Sequence, residues 1–193
     1  MRMKTRLWVL SALTVVAACS SGGGSFEAAE TEVTKVTEEA RDGYTYIHYN
    51  AKQPAYRDRP SSEYVDQRVD VGIPDGVEND APVLFQVGGE AAISDLFVQN
   101  APRYIGLPMI AIQAEHRGYG TSISSEEDQT TPRYLSRSEA VDDFHGVVVA
   151  LRETYTGPWF VRGVSYTGGV VLEYAAKYPE DVVAVNSVSG VVD

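Results

Sequence analysis

The sequence predicts an α/β fold: a mostly parallel sheet with helices on both faces. Three observations predict it. Short apolar runs such as Val83–Val87 and Met109–Ala114 suit strands that are covered on both sides. Stretches of helical period separate them, and strands alternating with helices close into a parallel sheet. The 193 residues are 44% hydrophobic and 22% charged, an ordinary globular mixture with enough chain to bury one core.

The first 18 residues read as a leader. Arg2, Lys4 and Arg6 form a positive segment, and Leu7 to Ala18 is an apolar run of 12 residues. A membrane-spanning helix needs roughly 20 residues, so this run is a signal segment, not an anchor. Small residues lead into Cys19, and Ser20, Ser21 and three glycines follow. That pattern resembles a bacterial lipobox, which implies lipidation of Cys19 and cleavage before it. Each buried CH₂ of an acyl chain adds about 0.8 kcal/mol to membrane attachment. The expectation is an exported protein held on the cell envelope by lipidated Cys19. Cys19 is the single cysteine, so neither an internal disulfide nor a thiolate metal site is expected.

Residues 19–42 are Gly/Ser-rich and then Glu/Thr/Ala-rich, and are expected to form a flexible tether with at most a loose helix. The globular domain is expected to span 43–193. Tyr44–Tyr49 alternates like a strand, Tyr64–Val71 reads as a second strand, and Gly72, Pro74, Asp75 and Gly76 supply turn chemistry. Val83–Val87 is the first buried strand. Gly88-Gly89-Glu90 breaks it, and Ala91–Tyr104 is a helix with Pro102 near its end. Met109–Ala114 is the next strand. Ser136 and Glu139 form a capping-box pattern, and Ala140, Val141, Phe144, Val147, Val148, Leu151 and Tyr155 follow at helical spacing. Trp159–Arg162 is a strand, Gly168–Tyr178 a helix and Val182–Val188 a last strand.

A net charge of -11 makes nucleic-acid binding an unsuitable function, because phosphate contacts need clustered Lys and Arg. Neither a P-loop nor a GxGxxG fingerprint is present, and no metal or other cofactor is expected.

Gly163-Val164-Ser165-Tyr166-Thr167-Gly168-Gly169 lies between a strand and a helix, the context a nucleophile elbow requires. Ser165 is the candidate nucleophile, and the Tyr166 N–H, at the positive end of the following helix, can stabilise an oxyanion. Thr167, two residues after the serine, is β-branched and is expected to crowd the turn. Glu115-His116-Arg117-Gly118-Tyr119-Gly120-Thr121-Ser122 follows a strand directly. Glu115 and Arg117 are spaced to pin a tight, salt-bridged turn, and Gly118 and Gly120 permit unusual φ values. His116 inside this turn reads as structural. Gly88 and Gly89 let backbone N–H groups approach a substrate oxygen, so that Gly89 or Glu90 can form the other side of the oxyanion hole. Glu90 either flanks the oxyanion and holds a substrate amino group, or is a helix N-terminal acid stabilised by the macrodipole.

These motifs, with Tyr134-Leu135-Ser136 and Lys177-Tyr178-Pro179, resemble the prolyl carboxypeptidase and dipeptidyl-peptidase II family and the related bacterial secreted tripeptidyl aminopeptidases. The likeness runs from about Glu63 to Asp193. It implies an α/β-hydrolase with a helical cap after the nucleophile half, a peptide substrate cleaved near a chain end, often beside proline, and an acyl-enzyme at Ser165.

In that fold the acid and the histidine follow the nucleophile, yet His48, His116 and His145 all precede Ser165. His145, beside Phe144, is expected at the helix surface. Asp193, after the last strand, stands where some hydrolases carry the triad acid. The expectation is therefore a nucleophile half cut before the cap and last strands, inactive as written, with an exposed apolar sheet edge. Two other functions stay open: an esterase or other hydrolase of the same fold, and a non-catalytic surface lipoprotein. The sequence leaves the oligomeric state open.

Overall fold

The computed structural model describes residues 15–16, 30–57, 63–90, 93, 95–123 and 136–190. Its strands are β1 (Val15–Val16), β2 (Glu32–Arg41), β3 (Tyr44–Pro54), β4 (Tyr64–Pro74), β5 (Val83–Val87), β6 (Ile110–Ala114), β7 (Trp159–Val164) and β8 (Ala184–Val188). Its helices are α1 (Asp95–Ile105), α2 (Arg137–Arg152) and α3 (Tyr166–Lys177), with a 3₁₀ turn at Pro179–Asp181. One sheet holds all eight strands in the order β1-β2-β3-β4-β6-β5-β7-β8.

The sheet is mixed, with a parallel core. β1 to β4 run antiparallel to their neighbours, and β4 meets β6 antiparallel. Only the β6-β5-β7-β8 block is parallel. That block carries the βα alternation, because parallel neighbours need a crossover while antiparallel ones need only a turn.

The tether expected through residue 42 is corrected by β2. Glu32–Arg41 is a ten-residue strand paired with β3 along its length. Asp42 (φ 54°) and Gly43 (φ 79°) make the left-handed two-residue turn that joins them. Only Val33 of β2 is fully buried, so backbone pairing rather than core burial holds this strand, and its hydrophobic pattern was faint.

Core side chains alternate across the parallel strands. Val83, Phe85, Val87, Ile110 and Ile112 face α2 and α3, meeting Phe144, Val148, Val170 and Tyr174. Phe85 packs edge-on to both Phe144 and Trp159. On the opposite face Leu84 and Ala111 meet Val98 and Ala101 of α1. Helices thus cover both faces, as expected. Burying one such large apolar side chain contributes about 1.5–3 kcal/mol. The α2 cap also matches its signal: Ser136 Oγ accepts from the Glu139 N–H at 3.2 Å.

Among the described residues no helix is long and apolar enough to cross a membrane. Cys19, Tyr134, Leu135 and Asp193 lie outside the described residues.

Candidate active site

The sheet delivers Ser165 to the carboxyl end of β7, where the chain turns straight into α3. Ser165 has φ 58° and ψ -126°, a backbone state that costs a non-glycine residue about 1–3 kcal/mol. Two hydrogen bonds hold it there. The Ser165 N–H donates to Val188 O on β8 (2.8 Å), and Ser165 O accepts from the Gly168 N–H (2.9 Å). The hydroxyl makes no capping bond to the helix, and the residue is exposed. Strain, exposure and an uncommitted hydroxyl coincide at Ser165, where a helix begins.

The turn is too sharp for a side chain at Gly163. A Cβ there would stand 2.1 Å from Thr167 O. Thr167 does not crowd the elbow as its branching suggested. Its hydroxyl accepts from the Val164 N–H and donates to Val164 O, both at 3.0 Å, stapling the strand end to the first helical turn. Spacing alone had not marked Thr167 as part of the site. A small β-branched alcohol two residues past a candidate serine was the available signal.

Gly88-Gly89-Glu90 faces this elbow from the end of β5. Gly88 is bound into the scaffold: its N–H donates to Ala114 O (2.7 Å), and a Cβ would lie 2.6 Å from that oxygen. Gly89 is the residue across from the elbow, since a Cβ on it would touch Thr167 Cγ2 at 3.5 Å. Glu90 is exposed. Between turn and elbow lies a cleft of about 340 Å³ lined by Gln86, Gly89, Glu90, Gln113, Val164 and Thr167 among others. A larger cavity of about 510 Å³ lies over the antiparallel strands, beside His48, Arg68 and Asp70. It touches none of the elbow residues.

The turn after β6 is pinned, but not by a Glu115–Arg117 pair. Glu115 accepts from the Thr121 N–H and hydroxyl (both 2.9 Å), the Ser122 hydroxyl (2.7 Å) and the Ile93 N–H (3.2 Å). Arg117 instead reaches α2, donating to Asp143 at 2.5 and 2.6 Å, and to Pro54 O and Ala55 O. Burial works against the Arg117 charge, but Asp143 more than offsets it, and the guanidinium pKa is raised. Gly118 (φ 78°) and Gly120 (φ 60°) take the left-handed states expected of them.

Each histidine is engaged away from Ser165. His116 is buried, and its Nδ1 is 2.7 Å from Arg117 O, which fixes the proton on that nitrogen and leaves Nε2 facing the Tyr166 hydroxyl at 3.4 Å. Burial lowers its pKa. Arg137 lies over the Tyr166 ring, 5.6 Å from its centroid. Burial raises the Tyr166 pKa. His48 pairs with Asp70 at 3.0 Å. His145 is a correction: it is buried, not superficial. Its ring stacks on Tyr178 at 3.7 Å, and Nδ1 meets Asp181 at 2.6 Å, beside the Tyr174 hydroxyl. The 3₁₀ turn covers that face of α2, a tertiary contact that helical period does not encode. Among the described residues no group of three or more His, Cys, Asp or Glu could hold a metal ion.

The family described as Serine carboxypeptidase S28 matches residues 74–193, more than half of the chain. No curated protein matches it. Among solved structures, the chain is similar to a cold-adapted esterase from an Arctic intertidal metagenomic library, with TM-score 0.56 at 12% identity over 77% of this chain and 62% of that one. It is similar to the peroxisomal α/β-hydrolase Lpx1 of Saccharomyces cerevisiae, with TM-score 0.59 at 11% identity over 79% and 45%. A structure from a study of two prolyl endopeptidases matches with TM-score 0.51 at 14% identity over 84% and 29%. The chain therefore spans less than two thirds of each of these proteins. At such identities the likeness establishes the fold, which is that of the α/β-hydrolases.

Proposed function

This chain belongs to the serine carboxypeptidase S28 family, and we propose that it carries the nucleophile half of a serine exopeptidase acting on short peptides. The observation that carries the reading is Ser165 itself, a non-glycine residue held at positive φ with its hydroxyl exposed at a strand–helix turn. In this reading Ser165 Oγ attacks the substrate carbonyl and forms an acyl-enzyme while the leaving amine departs. The Tyr166 N–H, at the start of α3, and the Gly89 N–H across the cleft donate to the developing oxyanion. Such donors are worth about 2.7–4 kcal/mol each in a well-studied protease. Specificity is aminopeptidase-like, with Glu90 beside the cleft as the partner for a substrate amino group.

The proton leaving Ser165 needs a base, and the three histidines are engaged elsewhere. The chain alone is therefore expected to turn over slowly or not at all. Lipidated Cys19 would hold the protein on the face of the cell envelope, where short peptides are the accessible substrates.

The test is covalent labelling of the purified protein by a peptidyl phosphonate ester, read by mass spectrometry. Modification mapped to Ser165, and lost in Ser165→Ala, is the expected result. Labelling that is absent, or unchanged in Ser165→Ala, would remove Ser165 from the mechanism and favour a binding role.

A further inference from the structure

His116 is a polar side chain enclosed by aromatic neighbours. It is 1% exposed, with the Tyr119 ring edge-on at 5.4 Å and the Phe144 ring at 6.2 Å. Burying an imidazole costs free energy unless its ring nitrogens find partners. Nδ1 has the Arg117 carbonyl at 2.7 Å, and because a carbonyl can only accept, the proton sits on Nδ1. Burial lowers the pKa, which favours this neutral ring. Nε2 is then an acceptor, and the group it meets is the Tyr166 hydroxyl at 3.4 Å. Tyr166 donates and His116 accepts.

That contact joins the turn after β6 to the elbow. His116 belongs to the turn that Glu115 and Arg117 hold rigid, and Tyr166 is the first residue of α3, next to Ser165. The peptide unit between Ser165 and Tyr166 is planar, so its C=O and N–H point in opposite directions. At one end the Gly168 N–H donates to the Ser165 oxygen (2.9 Å). The Tyr166 N–H at the other end is among the first four of a helix, which have no partner inside it. Its direction follows the Tyr166 backbone, and an anchored phenol restrains that backbone from the far end of the side chain. The Tyr166 and His116 rings meet at 5.6 Å and 55°, and Arg137, itself 3.9 Å from Glu173 of α3, lies over the Tyr166 ring. A donor that is aimed before charge develops costs no reorganisation during the reaction.

We propose that His116 is a positioning residue of the elbow: its Nε2 anchors the Tyr166 phenol and so aims the Tyr166 N–H at the oxyanion. It touches no reacting atom and acts through Tyr166 alone. The inference rests on the peptidase reading above, in which the Tyr166 N–H is an oxyanion donor. It gives the buried histidine a part in the chemistry without making it the base.

The test reads the rate at which the peptidyl phosphonate ester modifies Ser165 in the full chain, because the phosphonyl oxygen takes the place of the oxyanion. The rate is measured without denaturant, where a modest loss of stability leaves the chain folded and does not slow labelling. Tyr166→Phe removes one oxygen and keeps the ring. It should slow labelling about threefold to tenfold, the share that a single neutral hydrogen bond carries. His116→Leu should slow it by the same factor, and the two substitutions together by no more than either alone, since both remove one bond. His116→Gln, whose side-chain oxygen can accept in place of Nε2, should keep most of the unaltered rate. If His116→Leu does not fold, His116→Phe replaces it in the cycle. Labelling of Tyr166→Phe at the unaltered rate, or losses that multiply in the double variant, overturns the positioning role and leaves the peptidase reading standing. If Ser165 of the unaltered protein resists the phosphonate ester, both fall together.

Discussion

Two glycine-bearing turns stand at the ends of β6 and β7, the strands that flank β5 in the sheet, and they could hardly be more different. Around Glu115–Ser122 every charged group is buried and paired: Glu115 takes four hydrogen bonds, and Arg117 is fully enclosed by Asp143 and two carbonyls. Around Ser165 the backbone is strained, the side chain is exposed and its hydroxyl caps nothing. A saturated turn lowers the free energy of the fold and has nothing left to offer a substrate. A strained turn costs free energy and leaves its hydroxyl available. Both read as Gly/Ser-containing loops in sequence; satisfaction of their polar groups separates architecture from chemistry.

The contrast can be broken from either side. The largest effect should come from Asp143→Ala, which strands the buried Arg117 guanidinium. Losing one partner of such a pair costs about 3–5 kcal/mol, a large share of a typical 5–15 kcal/mol total, and urea denaturation would register it. A loss below about 1 kcal/mol would mean that the turn is not held by this pair. Gly163→Ala comes next. Its Cβ would collide with Thr167 O at 2.1 Å, and overpacking of this kind costs about 1–3 kcal/mol, measurable in the same way together with loss of Ser165 labelling.

Ser165→Gly sharpens the comparison because its sign is opposite. Glycine accepts the positive φ freely, which relieves about 1–3 kcal/mol of strain, while its unfolded-state entropy takes back about 0.5–1 kcal/mol. A net gain of about 1 kcal/mol in thermal or urea unfolding is expected, together with complete loss of labelling. A destabilised variant would show that Ser165 is not under strain.

The smallest effect is a pH slope. Burial lowers the His116 pKa below 6.5, so on acidification the unfolded chain takes up this proton before the folded one. The stability contributed by neutral His116 is intact above about pH 6.5 and is lost as pH falls from there toward the folded pKa. His116→Gln should flatten that part of the stability profile, compared by urea denaturation at pH 7.5 and 5.5. An unchanged slope would assign it to other groups.

The sequence by itself determined the parallel half of the molecule. Val83–Val87 is an apolar five-residue run, and β5 has those same bounds; Ser136 and Glu139 marked the start of α2. The position of Ser165 between strand and helix was legible because a sharp turn restricts which residues can occupy its near neighbours. These are local rules, in which a side chain's period or size answers to its own backbone. Tertiary structure decided the rest. β2 exists because β3 offers it a hydrogen-bonding edge, which its own Glu- and Thr-rich pattern does not announce. His145 is buried because Asp181 and Tyr178 come to it from 33 or more positions along the chain. Arg117 chose Asp143 over Glu115, and Gln113 lacks a donor while its in-register neighbour Gln86 has partners. Pairing of buried polar groups depends on which distant elements meet across the sheet, and no local pattern carries that information.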